Sequence, residues 1–373
     1  MGSKDSGAGL RGQTAGRTAV CTVGAEGNSL RYRGYDVVDL AAQSTFYETA
    51  HLILKGYLPQ ADELAAWKTR LNGLRGLPQA LLDVLERIPA DAHPMDVMRT
   101  ACSFLGNIEP EGDFSNQDAV ADRLLAAFPS IIVYWYRYSH DGVRIETLTD
   151  DDTIGGHFLH MLHGAAPDEL SVRVMDVSLI LYAEHEFNAS TFTARICAST
   201  LSDLYSCITA AIGSLRGPLH GGANEAAMAM IGQYAGVDEA IADVQRKLAA
   251  KELIMGFGHA VYKVRDPRNA IIKGWSKKLS EQNEDSKLFE ISDAVERVMK
   301  EEKNMFANAD FFHASAYNFM GIPTRLFTPI FAMSRITGWA AHCFEQRADN
   351  RLIRPGAEYI GHADREYVPL ELR

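Results

Sequence analysis

After residue 34, apolar residues recur at spacings of three and four along nearly the whole chain. This is the period of a helix that buries one face. Tyr35–Lys55 carries Val38, Leu40 and Ala41, then Phe46, Ala50 and Leu52, before Gly56, and the pattern predicts one helix there that glycine ends. Pro59 and Asp62 open the next helix. Lys287–Lys300 sets Leu288, Ile291, Val295, Val298 and Met299 on one stripe with Glu and Lys opposite, and Thr328–Gln346 reads as a long buried helix. Ahead of these, TAVCTVGAEGNSLRYRG at 18–34 reads as two short strands around Gly24–Asn28. The first 17 residues, rich in Gly, Ser and Thr, are expected to be disordered. The β-branched alternating runs of a parallel sheet are missing, so the expected fold is mainly α, multi-helical and two-domain, with a small N-terminal β-hairpin. Glycine-rich breaks at Gly213–Gly222, Gly256–Gly258 and Gly321-Ile-Pro323 bracket a block that reads as a smaller inserted domain. A cleft between two such domains is a common ligand site.

Composition narrows the function classes. Across 373 residues, 37 Lys plus Arg face 48 Asp plus Glu, a net charge of −11. That argues against nucleic acid as a partner. It leaves room for a small anionic substrate, because a local arginine cluster reverses the field inside a cleft. The longest stretch without a charged residue, Thr153–Pro167, is shorter than the roughly 20 apolar residues of a membrane helix, so no membrane partner is expected. The N-terminus has no apolar h-region and does not read as a secretory signal. Met1, Gly2 and Ser6 fit the loose myristoylation pattern, yet no polybasic patch accompanies them, and a plain flexible start is expected instead. Five widely spaced cysteines with no CxxC point to free thiols in a reducing cytoplasm.

Four clusters and two further arginines carry candidate chemistry. His185 is placed late in an apolar helix, with Asn188 and Ser190 as N-cap types for the next one. His220 lies between Pro-Leu and Gly-Gly on a tight loop, facing the start of a helix near Ala223 whose positive end favours an anion. His259 follows Gly256 and Gly258 and precedes Lys263, Arg265 and Arg268, an unusual cationic group for an acidic chain. Asp310 is followed by Phe311 and Phe312, and an apolar setting makes a carboxylate a better base. Arg335 stands in an apolar helix and needs a partner, and Arg354 precedes Pro355. Each feature also has a structural reading: a histidine bonded to a neighbouring carbonyl, an ordinary loop histidine, a solvated basic turn, an N-cap aspartate. Together they suit the enolisation of a thioester beside a dicarboxylic keto acid. The aspartate would take a carbon-bound proton. One histidine would bond the enolate oxygen, the other would polarise the acceptor carbonyl, and the arginines would hold carboxylates. A competing reading is a non-catalytic helical protein with a metal on His157, His160 and His163, but that spacing spreads the three around a helix, and no metal site is expected.

The segments LYAEHEFNASTFTAR, GPLHGGANEA, GFGHAVYKVRDPR, NADFFHASAYNFMGIP, FAMSRITGWAAHCFEQR and LIRP, in this order, resemble the citrate synthase family from about Cys21 to the C-terminus. HPMDVMRT, YWYRYSH, DDDTIGGHFLHMLHG and the terminal REYVPL resemble the branch that makes 2-methylcitrate. The resemblance implies a homodimer whose large domain is 1–219 with 322–373 and whose small domain is 220–321. It assigns catalysis to His220, His259 and Asp310, and oxaloacetate contacts to His185, Arg268 and Arg335. Arg354 would reach across from the other subunit. Leu253, Ile254, Met255, Gly256, Phe257 and Lys263 match the region that meets coenzyme A, and Arg70 looks like a basic ligand contact. The implied substrates are oxaloacetate with propionyl-CoA, or acetyl-CoA in the alternative citrate-forming reading. The implied place is the cytoplasm, with no bound cofactor. The chain lacks the long N-terminal extension of the citrate synthases that NADH regulates, so such control is not expected.

Overall fold

The computed structural model describes residues 13–24, 27–283 and 286–373. Ala25 and Glu26 of the expected hairpin, the Met1/Gly2/Ser6 pattern and most of the expected N-terminal disorder lie outside the described residues. Strands β1 (Cys21–Val23), β2 (Leu30–Tyr32) and β3 (Tyr35–Asp36) form one antiparallel sheet in that order, with Cys21 opposite Tyr32 and Val23 opposite Leu30. The third strand was not legible in the pattern.

The single helix expected over 35–55 is two. Helix α1 (Val37–Gln43) is capped by Asp36, and α2 (Phe46–Lys55) starts anew. The break comes from a capping box: the Thr45 side chain accepts the Glu48 N–H while the Glu48 carboxylate takes the Thr45 N–H at 2.8 Å. This satisfies two helix-end donors and outweighs the continuous apolar stripe. Gly56 closes α2 at φ 92. Helices α3 (Ala61–Gly73), α4 (Gln79–Leu85), α5 (Pro94–Ile108), α6 (Gln117–Asp141) and α7 (Ile154–His163) follow, and α8 (Glu169–Tyr182), α9 (Ala189–Ser199) and α10 (Leu204–Leu215) lead into the glycine-rich turn.

A second group, α11 (Ala223–Ile231), α12 (Val237–Ala249), α13 (Pro267–Gln282), α14 (Lys287–Lys303) and α15 (Ala309–Phe319), packs largely within itself: α11 and α13 lie on α15, and α12 lies on α14. It meets the rest chiefly where α13 touches α8 and α1, and also where α11 touches α16 and α15 touches α8. The last helix, α16 (Phe327–Ala348), is buried from Phe327 to Cys343 and packs against α9, α6, α10, α2 and α8. An apolar helix with no polar face is stable only when surrounded in this way. Residues 349–373 form no α-helix and are largely exposed.

Candidate active site

A cavity of about 700 Å³ opens where the two helix groups meet. It is lined by Val23 of the hairpin, the α8–α9 loop, the α10–α11 turn, the loop before α13, the start of α15 and the middle of α16. His185, His220, His259, Arg268, Asp310 and Arg335 all face it.

Helix α8 ends at Tyr182, so His185 lies on the loop after it, a correction to the expected position late in the helix. Ala183 and Glu184 leave the helix, and Glu186 takes φ 54. Asn188 then caps α9, its side chain accepting the Thr191 N–H at 3.1 Å and the Ser190 hydroxyl at 2.9 Å. This cap places Ser190 under His220. The Ser190 N–H lies 3.2 Å from His220 Nε2, and the Ser190 Oγ lies 2.8 Å from it. A backbone N–H only donates, so Nε2 is the acceptor and the His220 proton sits on Nδ1. Trp339 Nε1 donates to the same Oγ at 3.0 Å. Burial, and secondarily Arg335, push the His220 pKa down to about 4, so the ring is neutral at pH 7. The turn that carries it requires Gly221, where a Cβ would stand 2.3 Å from the Leu215 carbonyl.

His259 has the opposite tautomer. Its Nδ1 accepts the N–H of Val261 at 3.1 Å and of Tyr262 at 3.3 Å, which leaves the proton on Nε2. Burial and then Arg268 bring its pKa down to about 4. His185 is close by, with ring centroids 5.0 Å apart, and its Nε2 meets the Tyr262 hydroxyl at 3.0 Å. Burial first, then Arg268, hold it well below the usual histidine range. The site thus contains three uncharged imidazoles.

Asp310 comes beside them through a short antiparallel contact. Gly258 N–H bonds Phe306 O at 2.8 Å and Asn308 N–H bonds Gly256 O at 2.9 Å. Asn308, and not Asp310, is the N-cap of α15. Asp310 is half-buried and lines the cavity. Burial raises its pKa, opposed by the Tyr182 hydroxyl that donates to Oδ1 at 2.7 Å and by Arg268. The Tyr182 carbonyl in turn accepts Arg335 Nε at 2.7 Å.

The two arginines differ. Arg268 spends Nε and Nη2 on Asp266, at 2.9 and 2.7 Å, leaving Nη1 of its fork. Asp266 also takes the Ala309 N–H at 3.0 Å, tying α13 to α15. Arg335 is fully buried, with its guanidinium 4.4 Å from the Phe331 ring, and no carboxylate ion-pairs with it among the described residues. A buried cation without an ion pair favours an anionic guest.

Other expected residues stand apart. Arg70 lies on α3 and pairs with Asp122 at 3.1 Å, away from this cavity. Arg354 is exposed in the C-terminal segment. Lys263 and Leu253 are exposed, while Ile254 and Phe257 are buried, Phe257 against Phe311. His157, His160 and His163 turn to separate partners: His157 to Ser130 and Thr149, His160 to Asp151, and His163 to the Met320 carbonyl. Ser190, Tyr182 and Tyr262 were not singled out from sequence for these roles. The signal for Ser190 was present in the Asn-x-Ser spacing at a helix start.

The family model described as citrate synthase, C-terminal domain, matches residues 9–356. The chain is 66% identical to a 2-methylcitrate synthase of Shewanella oneidensis over 370 residues, covering 99% of each protein. It is 42% identical to citrate synthase 2 of Bacillus subtilis over 369 residues, 98% of each. Its fold superposes on a ternary complex of carboxymethyl coenzyme A and oxaloacetate with citrate synthase from Thermoplasma acidophilum with a TM-score of 0.89 at 33% identity, 98% of each chain covered.

Proposed function

The chain belongs to the citrate synthase family, and from that premise we propose that it condenses propionyl-CoA with oxaloacetate and water to give 2-methylcitrate and CoA. One observation carries the chemistry: a carboxylate raised by burial and two neutral histidines of opposite tautomer converge on a cavity with two buried arginines. The 66% identity to a 2-methylcitrate synthase supports propionyl over acetyl as the acyl group.

Asp310 removes the α-proton of the thioester, and the C–H electron pair becomes the carbon–carbon double bond of an enolate with its charge on the former carbonyl oxygen. Nδ1–H of His220 donates a hydrogen bond to that enolate oxygen. The α-carbon then attacks the ketone carbon of oxaloacetate, whose oxygen receives the hydrogen bond from Nε2–H of His259 as it gains charge. Arg335 and Nη1 of Arg268 hold the carboxylates, with Arg354 of the partner subunit, and His185 faces the same ligand. Water hydrolyses the resulting thioester and releases CoA. Side chains carry every step, and coenzyme A enters only as the substrate thioester, beside Leu253–Phe257 and Lys263.

The reading includes a homodimer with a large domain of 1–219 and 322–373 and a small domain of 220–321. The self-packing of α11–α15 supports the division. The exposed Leu352, Tyr359, Ile360, Tyr367 and Leu372 in the C-terminal segment, which carries Arg354, support the dimer. The reading also places the enzyme in the cytoplasm. All five cysteines are unpaired, and no helix of the described residues is long and apolar enough to cross a membrane.

CoA release by the purified protein with oxaloacetate, compared as kcat/KM for propionyl-CoA and acetyl-CoA, tests the function. A propionyl preference is expected. One methylene is worth about 1–3 kcal/mol, so some acetyl turnover is compatible with it. An acetyl preference would move the protein to citrate formation, and no release with either thioester would overturn the catalytic assignment.

A further inference from the structure

One element outside the catalytic set touches both walls of the cavity. The β1–β2 hairpin is fixed to the end of α8, where the buried Tyr32 donates its hydroxyl to the Ile180 carbonyl at 3.0 Å. Val23 lines the cavity together with Glu186 and His185. On its other side the hairpin meets the His259 loop. The Gly27 carbonyl accepts the N–H of Lys263 at 3.0 Å and of Val264 at 3.4 Å. Gly24 sits at φ +70, and a Cβ there would lie 2.6 Å from Val261 Cγ1. The amides of Val261 and Tyr262 are the two that hold His259 Nδ1. The short turn 261–264 is therefore clasped by the His259 ring at one end and by the hairpin at the other.

We propose that the hairpin, through Gly24 and the Gly27 carbonyl, is a positioning element for His259, fixing the 261–264 turn and with it the direction of the Nε2 proton. The proposal rests on the role given to His259 above. Among the described hairpin residues only Val23 lines the cavity, so the influence passes through the loop. A polarising donor works only when its direction is set before the substrate arrives.

Three variants of the full chain test this. Gly24→Ala puts a methyl against Val261. Gly34→Ala imposes the same kind of strain at φ +92 in the same sheet, with nothing within 4 Å of the added Cβ. Adding Val261→Ala to Gly24→Ala removes the clashing methyl. Misplacement by a fraction of an ångström is expected to cost Gly24→Ala about tenfold in kcat/KM for oxaloacetate. Gly34→Ala should lower Tm comparably and keep its kinetic constants. The double variant should regain most of the loss relative to Val261→Ala alone. Equal kinetics for Gly24→Ala and Gly34→Ala, or no recovery in the double variant, overturns the proposal. Should Gly24→Ala not fold, amide hydrogen exchange on the wild-type protein decides: Lys263 N–H should be protected together with Gly24 N–H, and exchange at the rate of a free loop overturns the contact. A wild-type protein inactive with both thioesters would sink the functional reading, while the exchange measurement would still judge the latch.

Discussion

At the scale of single residues, the chemistry depends on protonation states that the side-chain types leave open. A free histidine titrates near 6.5 and has two tautomers. Burial takes His220 and His259 to about 4, and the surrounding N–H groups put the proton on Nδ1 of one and Nε2 of the other. Both are then neutral donors at pH 7. The aromatic neighbours of Asp310 were legible, and the direction of its shift agrees with burial. The Tyr182 hydroxyl bond to it was not legible, since the two residues are 128 positions apart. Asp310→Asn keeps the size of the side chain and removes the base. Turnover is expected to fall by about 10²–10⁴-fold. Oxaloacetate should still bind, because His185, Arg268 and Arg335 are untouched. Steady-state kinetics together with calorimetric titration of oxaloacetate check both halves, and near-normal turnover would remove Asp310 as the base.

At the scale of elements, the site depends on where helices stop. Helix α8 stops at Tyr182 and the Asn188 cap restarts the chain as α9, which puts His185 on the loop and Ser190 in the first turn of α9. Helix α16 supports that loop from below. Glu184 is fully buried and bonds His342 of α16 at 2.8 Å through Oε1. A Cβ on Gly338 would stand 1.9 Å from Glu184 Oε2 and 2.8 Å from the Ala183 carbonyl. Gly338→Ala is therefore expected to destabilise the protein by about 1–3 kcal/mol, because one partner in the clash is backbone. Thermal unfolding reads this directly. A Tm equal to wild type would mean that α16 and the loop are not packed this closely. Sequence showed an apolar helix at 328–346 but gave no reason for its glycine. The break at Ser44 and Thr45 was hidden in the same way: the apolar stripe runs through it, and only the Thr45–Glu48 box marks the new start.

At the scale of the whole molecule, six separate segments, the hairpin at Val23 included, meet at one cavity, and the exposed segment bearing Arg354 is not among them. The C-terminal segment carries large apolar side chains with little cover from its own chain. Sedimentation equilibrium is expected to give twice the 41.1 kDa chain mass at micromolar concentration. A monomer that keeps full activity would exclude Arg354 of the partner subunit from the site.

Helical periodicity, the glycine punctuation and the residue types of the site are local properties, and sequence alone determined them. Burying an apolar stripe requires a fixed period, and a tight turn requires a residue that tolerates it, whatever the rest of the chain does. Which groups are neutral, which arginine has spent its fork on Asp266, and which loop leans on the N-terminal hairpin were decided by tertiary structure. These follow from desolvation and from contacts between residues far apart in the chain, and both exist only once the helices have packed.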